Sequence, residues 1–332
     1  MGNRHLYVSV LALALAACGG SGGGDGGGTT VVPGGTASPT PTPTPTATPA
    51  PTPSPTPTAT PVAPPAPTST ATFQQLSGAV VLQSANTGFS NKTNPPIELG
   101  VNEFGKGVRY IYDLQARSMK VENGAVSTQF VAAEIDANAP AGTTRYAKAD
   151  GSRLSLITPG EGAGLRWTRF IDATLAGPDS SRLLSLTGMP TPEADIPTTG
   201  SASFTRSAVI GEAYVQTADG MTSYALDGST ATMSVHYATR RITFSLTLTG
   251  RPSGGGASVT LLTASGSSNM DGSSPADMKA SSPIISRYLS FLAAGGLFGP
   301  QGAEVGTTFS FRGTSDDGRT VLNFAGLAAG GR

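Results

Sequence analysis

Cys18 is the only cysteine of this 332-residue chain, and its surroundings point to one chemistry. Leu15-Ala16-Ala17-Cys18 looks like a lipobox, in which the thiol is alkylated by a diacylglycerol and the cysteine becomes the first mature residue. The residues before it fit that reading. A short start holding Arg4 and His5 leads into an apolar run over 6–15 and then small residues, the build of a secretory signal peptide. The run is shorter than the roughly 20 residues of a permanent membrane helix. Export favours disulfides, yet a lone thiol cannot form one within the chain, and acylation gives it a use. Each buried methylene adds about 0.8 kcal/mol, so several acyl chains anchor durably. Gly19, not Asp, follows the cysteine. By the lipoprotein sorting rule this implies an outer-membrane, lipid-anchored location, and the expected exposure is to the cell surface.

Other reactive residue types are sparse. Once the leader is removed, His236 is the only histidine, so a Ser-His-Asp set has one available base. His236 reads as a surface side chain on the polar face of a strand. Asp316-Asp317-Gly318 reads as a hairpin turn rather than a cation site. Gly254-Gly255-Gly256 lacks the lysine and helix of a phosphate loop and reads as a strand connection. Trp167 alternates with Leu165 and Arg169 and is expected in packing, not as an exposed anchor. No thiol remains for a zinc cluster. The expectation is a protein that is not an enzyme and needs no metal or cofactor. Lys+Arg and Asp+Glu each number 21, which gives no basic surface for nucleic acid.

These residues are set on two kinds of chain. Residues 19–35 are nearly all Gly, Ser and Thr, and residues 38–67 repeat Thr-Pro with Ala. Such a chain lacks ladder donors and cannot bury a core. It is expected to be a disordered Pro/Thr stalk, reaching about 90 Å at roughly 3.1 Å per residue. From Phe73 onward, Asx-Gly pairs mark hairpins at Asn123-Gly124, Asp150-Gly151, Asp219-Gly220, Asp227-Gly228 and Asp317-Gly318. Between them, Ile242, Phe244, Leu246 and Leu248 alternate with Thr243, Ser245, Thr247 and Thr249, and Ala231, Met233, Val235 and Tyr237 do the same. Period two predicts sheets buried on one face. Residues 281–292 fit a helical period as well as a strand. The C-terminal part is expected as a meander of short strands closed into a barrel, which removes aggregation-prone edges. Short strands and the lack of aromatic girdles argue against a membrane-spanning barrel.

Two segments carry a family resemblance. Gly188-Met189-Pro190-Thr191-Pro192 leads through Asp195, Pro197 and Gly200 to Ala202 and Phe204, and Phe298-Gly299-Pro300 leads through Glu304 and Gly306 to Phe309. Both resemble segments of the transferrin-binding-protein-like surface lipoproteins, at the entry to and near the end of the β-barrel domain of transferrin-binding protein B. Leu165 to Phe170 is similar to the aromatic strand before the first of them. The resemblance implies an all-β fold: a small N-terminal β handle followed by an eight-stranded antiparallel β-barrel. The expected divisions are a signal peptide at 1–17, the lipidated cysteine and linker at 18–72, a handle at 73–195 and a barrel at 196–332. In this reading Pro197 and Gly200 set the turn into the barrel. Phe298-Gly299-Pro300 makes a tight turn, and residues 302–306 form a short connection that lets Phe309 enter the core.

Members of that family capture transferrin, haem, haemoglobin or complement regulators, and some work with a TonB-dependent transporter or a dedicated surface translocator. The transferrin receptors have two handle–barrel lobes, whereas this chain has room for one, and Gly306-Thr307 stands where they have two glycines. Single-lobe members are therefore the closer analogy. The resemblance implies a solute- or protein-binding lipoprotein whose ligand is a protein or a small iron-bearing molecule, haem being carried rather than used as a cofactor. A structural envelope lipoprotein without a diffusible ligand is the other reading of the sequence. Ligand-binding residues are not named by either.

Overall fold

The computed structural model describes residues 70–332, apart from 95, 125, 161–163, 178–180 and 271–275. The expected signal peptide, Cys18 and nearly all of the expected linker lie outside the described residues. What is described belongs to one compact unit and is all-β, its only helical pieces being single 3-10 turns.

The first region holds β1 (Ala79–Leu82), β2 (Ser84–Ser90), β3 (Ile97–Glu98), β4 (Arg109–Asp113), β5 (Ser118–Asn123), β6 (Val126–Phe130), β7 (Thr143–Ala147), β8 (Arg153–Ile157), β9 (Thr168–Thr174) and β10 (Ser181–Gly188). They make two antiparallel sheets, β1-β4-β5-β6 and β3-β2-β10-β9-β8-β7. These are the handle. Its sheets enclose one core that includes Leu82, Tyr110, Met119, Phe130, Tyr146 and Ile171. The hydroxyls of Tyr110 and Ser185 share a 2.7 Å hydrogen bond across it, which satisfies two buried polar groups at once.

The second region holds β11 (Ser201–Phe204), β12 (Arg206–Thr217), β13 (Gly220–Ala225), β14 (Thr230–His236), β15 (Arg241–Pro252), β16 (Val259–Asn269), β17 (Ala276–Ser281), β18 (Arg287–Phe298), β19 (Glu304–Thr314) and β20 (Val321–Gly331). Ten segments make eight staves. Strands β11 and β12 pair with β14 and β13 respectively, and both β13 and β14 pair with β15. Each of these pairs is therefore one long stave with a break. The Asp227-Gly228 pair sits in such a break and not in a hairpin, because the chain there runs on along β15 rather than folding back. Strand β20 pairs with β12 from Arg206↔Gly331 to Gln216↔Val321, which joins the last stave to the first. No ladder joins β17 to β18 among the described residues, so the barrel has a seam there.

Inside, Phe204, Val235, Leu246, Leu262, Phe309 and Phe324 meet in one apolar core. Outside, Thr232, Thr243 and Ser245 are exposed. An apolar interior with a Ser/Thr exterior is the inverse of a membrane-spanning barrel. The staves are longer than the sequence suggested: β12, β15 and β18 each have 12 residues. The ambiguous stretch 281–292 holds the last residue of β17, a connection and the start of β18. Arg287 to Phe298 pairs with β19, with a register shift between Tyr288 and Ser290, which settles that part as strand.

Candidate functional site

The two family-like segments meet at the contact between handle and barrel. Thr191 donates its backbone N–H to the Leu297 carbonyl at 3.0 Å, and Gly299 donates to the Met189 carbonyl at 2.8 Å. The Thr191 hydroxyl donates to the Gly299 carbonyl at 2.7 Å, and Pro190 bridges to Phe298. A segment between the two regions is thus sewn to a turn more than a hundred residues later. Gly188 closes β10 where a Cβ would lie 2.4 Å from the Trp167 carbonyl and 2.5 Å from the Phe298 ring. Gly299 has φ +73° and ψ −179°, backbone that only glycine adopts readily, and its Cα faces the Trp167 ring at Cβ distances of 2.5–2.9 Å. Pro300 opens a 3-10 turn over Pro300–Gly302. Pro192 caps the turn Glu193–Asp195 and is exposed together with Asp195. Pro197 is half-buried, and Gly200, at φ +82°, turns the chain into β11.

Glu304 holds the centre of this contact, and its role was not legible beforehand. The expected connection at 302–306 ends at Ala303, because Glu304, Val305 and Gly306 already pair in β19. Parity along β19 sends Val305, Phe309 and Phe311 into the barrel and Glu304 outward, beneath the handle. The carboxylate is 2% exposed. It accepts backbone N–H bonds from Arg166, Trp167 (3.1 Å) and Thr168 (2.9 Å) and a bond from the Thr168 hydroxyl at 2.7 Å. Burial raises its carboxyl above the usual range while these donors pull it down. Charge-assisted bonds of this kind are among the stronger ones, so one side chain of the barrel fixes the start of handle strand β9. Gly306 follows with room for Leu186 alone, whose methyls would lie 2.7 Å from a Cβ. Phe309 is fully buried and meets Phe324 edge-on with centroids 6.0 Å apart.

Phe89, Phe170, Leu184 and Leu186 of the handle and Phe298, Leu327 and Ala329 of the barrel pack around this clamp. Trp167 packs against both the handle core and this contact. Arg182 of β10 pairs with Asp172 at 2.8 Å and with Glu212 of β12, adding an ion pair across the contact.

Three other places have the chemistry to bind something. At one end of the handle a cavity of about 360 Å³ is lined by Phe73, Tyr112, Leu114, Thr143, Thr144, Leu156, Thr158 and Arg169. A second handle cavity, about 370 Å³, is walled by Val126, Leu175 and Leu183. On the barrel, Tyr288, Leu289 and Leu292 of β18 are 44%, 55% and 37% exposed beside the seam, and Leu292 reaches the chain at Gly100, next to exposed Leu99. His236 is exposed, its Nδ1 3.0 Å from the Thr239 hydroxyl. The Asp317 carboxylate accepts from the Ser315 hydroxyl and the Arg319 N–H, as a hairpin turn requires. Glycines 254–256 link β15 to β16. Among the described residues no group of three or more His, Cys, Asp or Glu side chains is placed to hold a metal ion.

No protein-family model matches the chain, and no curated protein matches it. Solved structures similar to it include a single-site mutant of transferrin-binding protein B from Haemophilus parasuis Hp5, 10% identical, covering 76% of each chain with a TM-score of 0.36. Another is the isotype 1 transferrin-binding protein B of serogroup B Neisseria meningitidis, 12% identical, covering 77% of each chain with a TM-score of 0.32. A third is a protein of unknown function from Nostoc punctiforme, 14% identical over 78% of this chain and 97% of that one, with a TM-score of 0.21. At these values the likenesses assign the chain neither a family nor a ligand.

Proposed function

We propose that the chain is a lipid-anchored binding protein displayed at the outer surface of the outer membrane. Its handle and barrel capture a protein or a small iron-bearing ligand such as haem, and an outer-membrane transporter receives what is captured. The lipobox-like Cys18 and the Thr-Pro stalk support the display, and the two family-like segments support the ligand class. The observation that carries the binding reading is the exposed apolar group Tyr288, Leu289 and Leu292 beside Leu99. Large exposed apolar side chains that lie close together mark interaction surfaces more often than scattered ones do; here Leu292 faces outward, and Tyr288 lies at the barrel rim against the Phe311 ring.

Three measurements test this reading. Protease added to intact cells removes a displayed protein and spares a periplasmic one. Affinity capture from host fluid, with a haem titration beside it, then asks for a ligand that the Leu289→Ser/Leu292→Ser double variant no longer holds. A protease-resistant chain, or equal capture by both forms, contradicts the proposal. Cys18→Ser is expected to move the protein from membrane to soluble fractions, and a variant that still sediments with membranes contradicts the anchor.

A further inference from the structure

Strand β9 places alternate residues in the space between the two handle sheets. Ile171 and Ala173 fill that space with apolar side chains, and Arg169, on the same face, puts a guanidinium there at 5% exposure. Arginine is rarely buried without partners for its donors. Here Nη1 alone is occupied, donating to the Thr168 carbonyl at 2.7 Å and the Leu165 carbonyl at 3.3 Å. The ring of Phe73 lies 4.4 Å from the guanidinium carbon, a favourable face for a cation. Nε and Nη2 have no partner among the described residues, yet neither is among the sealed, unpartnered polar atoms. Arg169 is also one of the side chains that line the handle cavity.

Charge balance narrows what fits. The field of Glu304 favours the charged Arg169, but no ion pair joins them, since that carboxylate is spent on the 166–168 backbone. No acidic side chain lines the cavity. Burial holds the guanidinium down at about 10, so it remains a cation at neutral pH. We propose that the handle cavity binds a small organic monocarboxylate, its carboxylate forked on Nε and Nη2 of Arg169 and its apolar part against Phe73, Leu114 and Leu156. The free edge of a guanidinium matches a carboxylate in bidentate fashion. A phosphate dianion would bring a second negative charge that this single cation leaves unbalanced in a poorly solvated site. The volume, about 360 Å³, is that of a small-molecule pocket. Hydroxyls of Thr143, Thr144 and Thr158 on the rim leave room for one further polar group.

This site deepens the binding reading, but it stands on handle geometry alone and holds wherever the chain resides. The test uses the full-length protein with benzoate as the probe, benzyl alcohol as its neutral counterpart and inorganic phosphate as the competing anion. The readouts are the Arg169 Nε–H resonance and the fluorescence of Trp167, the sole tryptophan. Benzoate is expected to shift both saturably, benzyl alcohol and phosphate at least about tenfold more weakly, and Arg169→Met to lose at least about tenfold in affinity, as removal of charge-assisted bonds implies. Leu114→Trp, which fills the cavity, leaves Arg169 in place and is read on the Arg169 Nε–H resonance because it adds a second indole, is expected to abolish the response, and it decides the matter where Arg169→Met fails to fold. No saturable response to benzoate, an equal response to benzyl alcohol or phosphate, or full binding by Leu114→Trp overturns the proposal. None of these results depends on surface display or on a protein partner.

Discussion

The barrel has two walls built from the same kind of strand and treated differently by the rest of the chain. Strand β20, under the handle, is buried at every residue after Val321. It sends Leu322, Phe324 and Ala328 into the barrel and Ala325, Leu327 and Ala329 against the handle. Strand β15, on the free wall, keeps strict alternation, with Ile242, Phe244, Leu246 and Leu248 inside and Thr243 and Ser245 in solvent. The clamped wall carries the Glu304 bonds, the Trp167–Gly299 contact and the Arg182 ion pairs. The free wall leads to the seam between β17 and β18 and to the exposed side chains beside it. Covering both faces of a strand leaves it no surface for a ligand, so the proposed capture falls to the free wall and the handle cavity.

Four substitutions break or sharpen this contrast. The largest effect is expected from Phe298→Ala, which empties a fully buried site between the regions. It should cost about 3–5 kcal/mol in urea unfolding. Glu304→Ala should cost about 3 kcal/mol, because it leaves the three N–H groups at 166–168 without their acceptor. That variant also sharpens the pH dependence. Burial raises the folded Glu304 carboxyl above its unfolded value of 4.5. This contribution to stability is therefore complete below pH 4.5 and is lost as pH rises through the folded value. The native protein should lose unfolding free energy across that window, and the Glu304→Ala protein should lack that slope. Gly299→Ala, forced into a glycine-only conformation against Trp167, should cost about 1–3 kcal/mol and change the fluorescence of that ring. Leu289→Ser, on the free wall, should change stability by no more than about 0.5 kcal/mol, since its side chain is 55% exposed.

The same contrast explains what was legible in the sequence. Strands β14 and β15 announced themselves because one face meets water and the other does not, which writes period two into the residues. Strand β20 did not, because Leu322-Asn323-Phe324-Ala325-Gly326-Leu327 is covered on both sides and small residues replace the polar half of the pattern. Asp150-Gly151 and Asp219-Gly220 marked true hairpins, but Asp227-Gly228 marked a kink, since a turn dipeptide does not say whether the chain reverses. The family-like segments gave the handle and barrel, and Gly188, Gly299 and Gly306 proved to be close approaches at their contact. Glu304 was visible as part of a segment but not as a clamp, because its partners are backbone groups of residues 166–168. A carboxylate inside the apolar run Ala303-Glu304-Val305 was the available signal. Arg169 carried a similar one, a cation in register with Ile171 and Ala173, and only the packing of the two sheets shows that it lines a cavity.

Amide hydrogen exchange, followed residue by residue, tests the two-wall account most directly. The Trp167 and Thr168 amides bound to Glu304, and those of β20, are expected to exchange only through global unfolding. The amides of β17 and the unpaired edge of β18 should exchange through local opening, orders of magnitude faster. Equal protection on both walls, or faster exchange at Trp167 and Thr168 than at the seam, would contradict it.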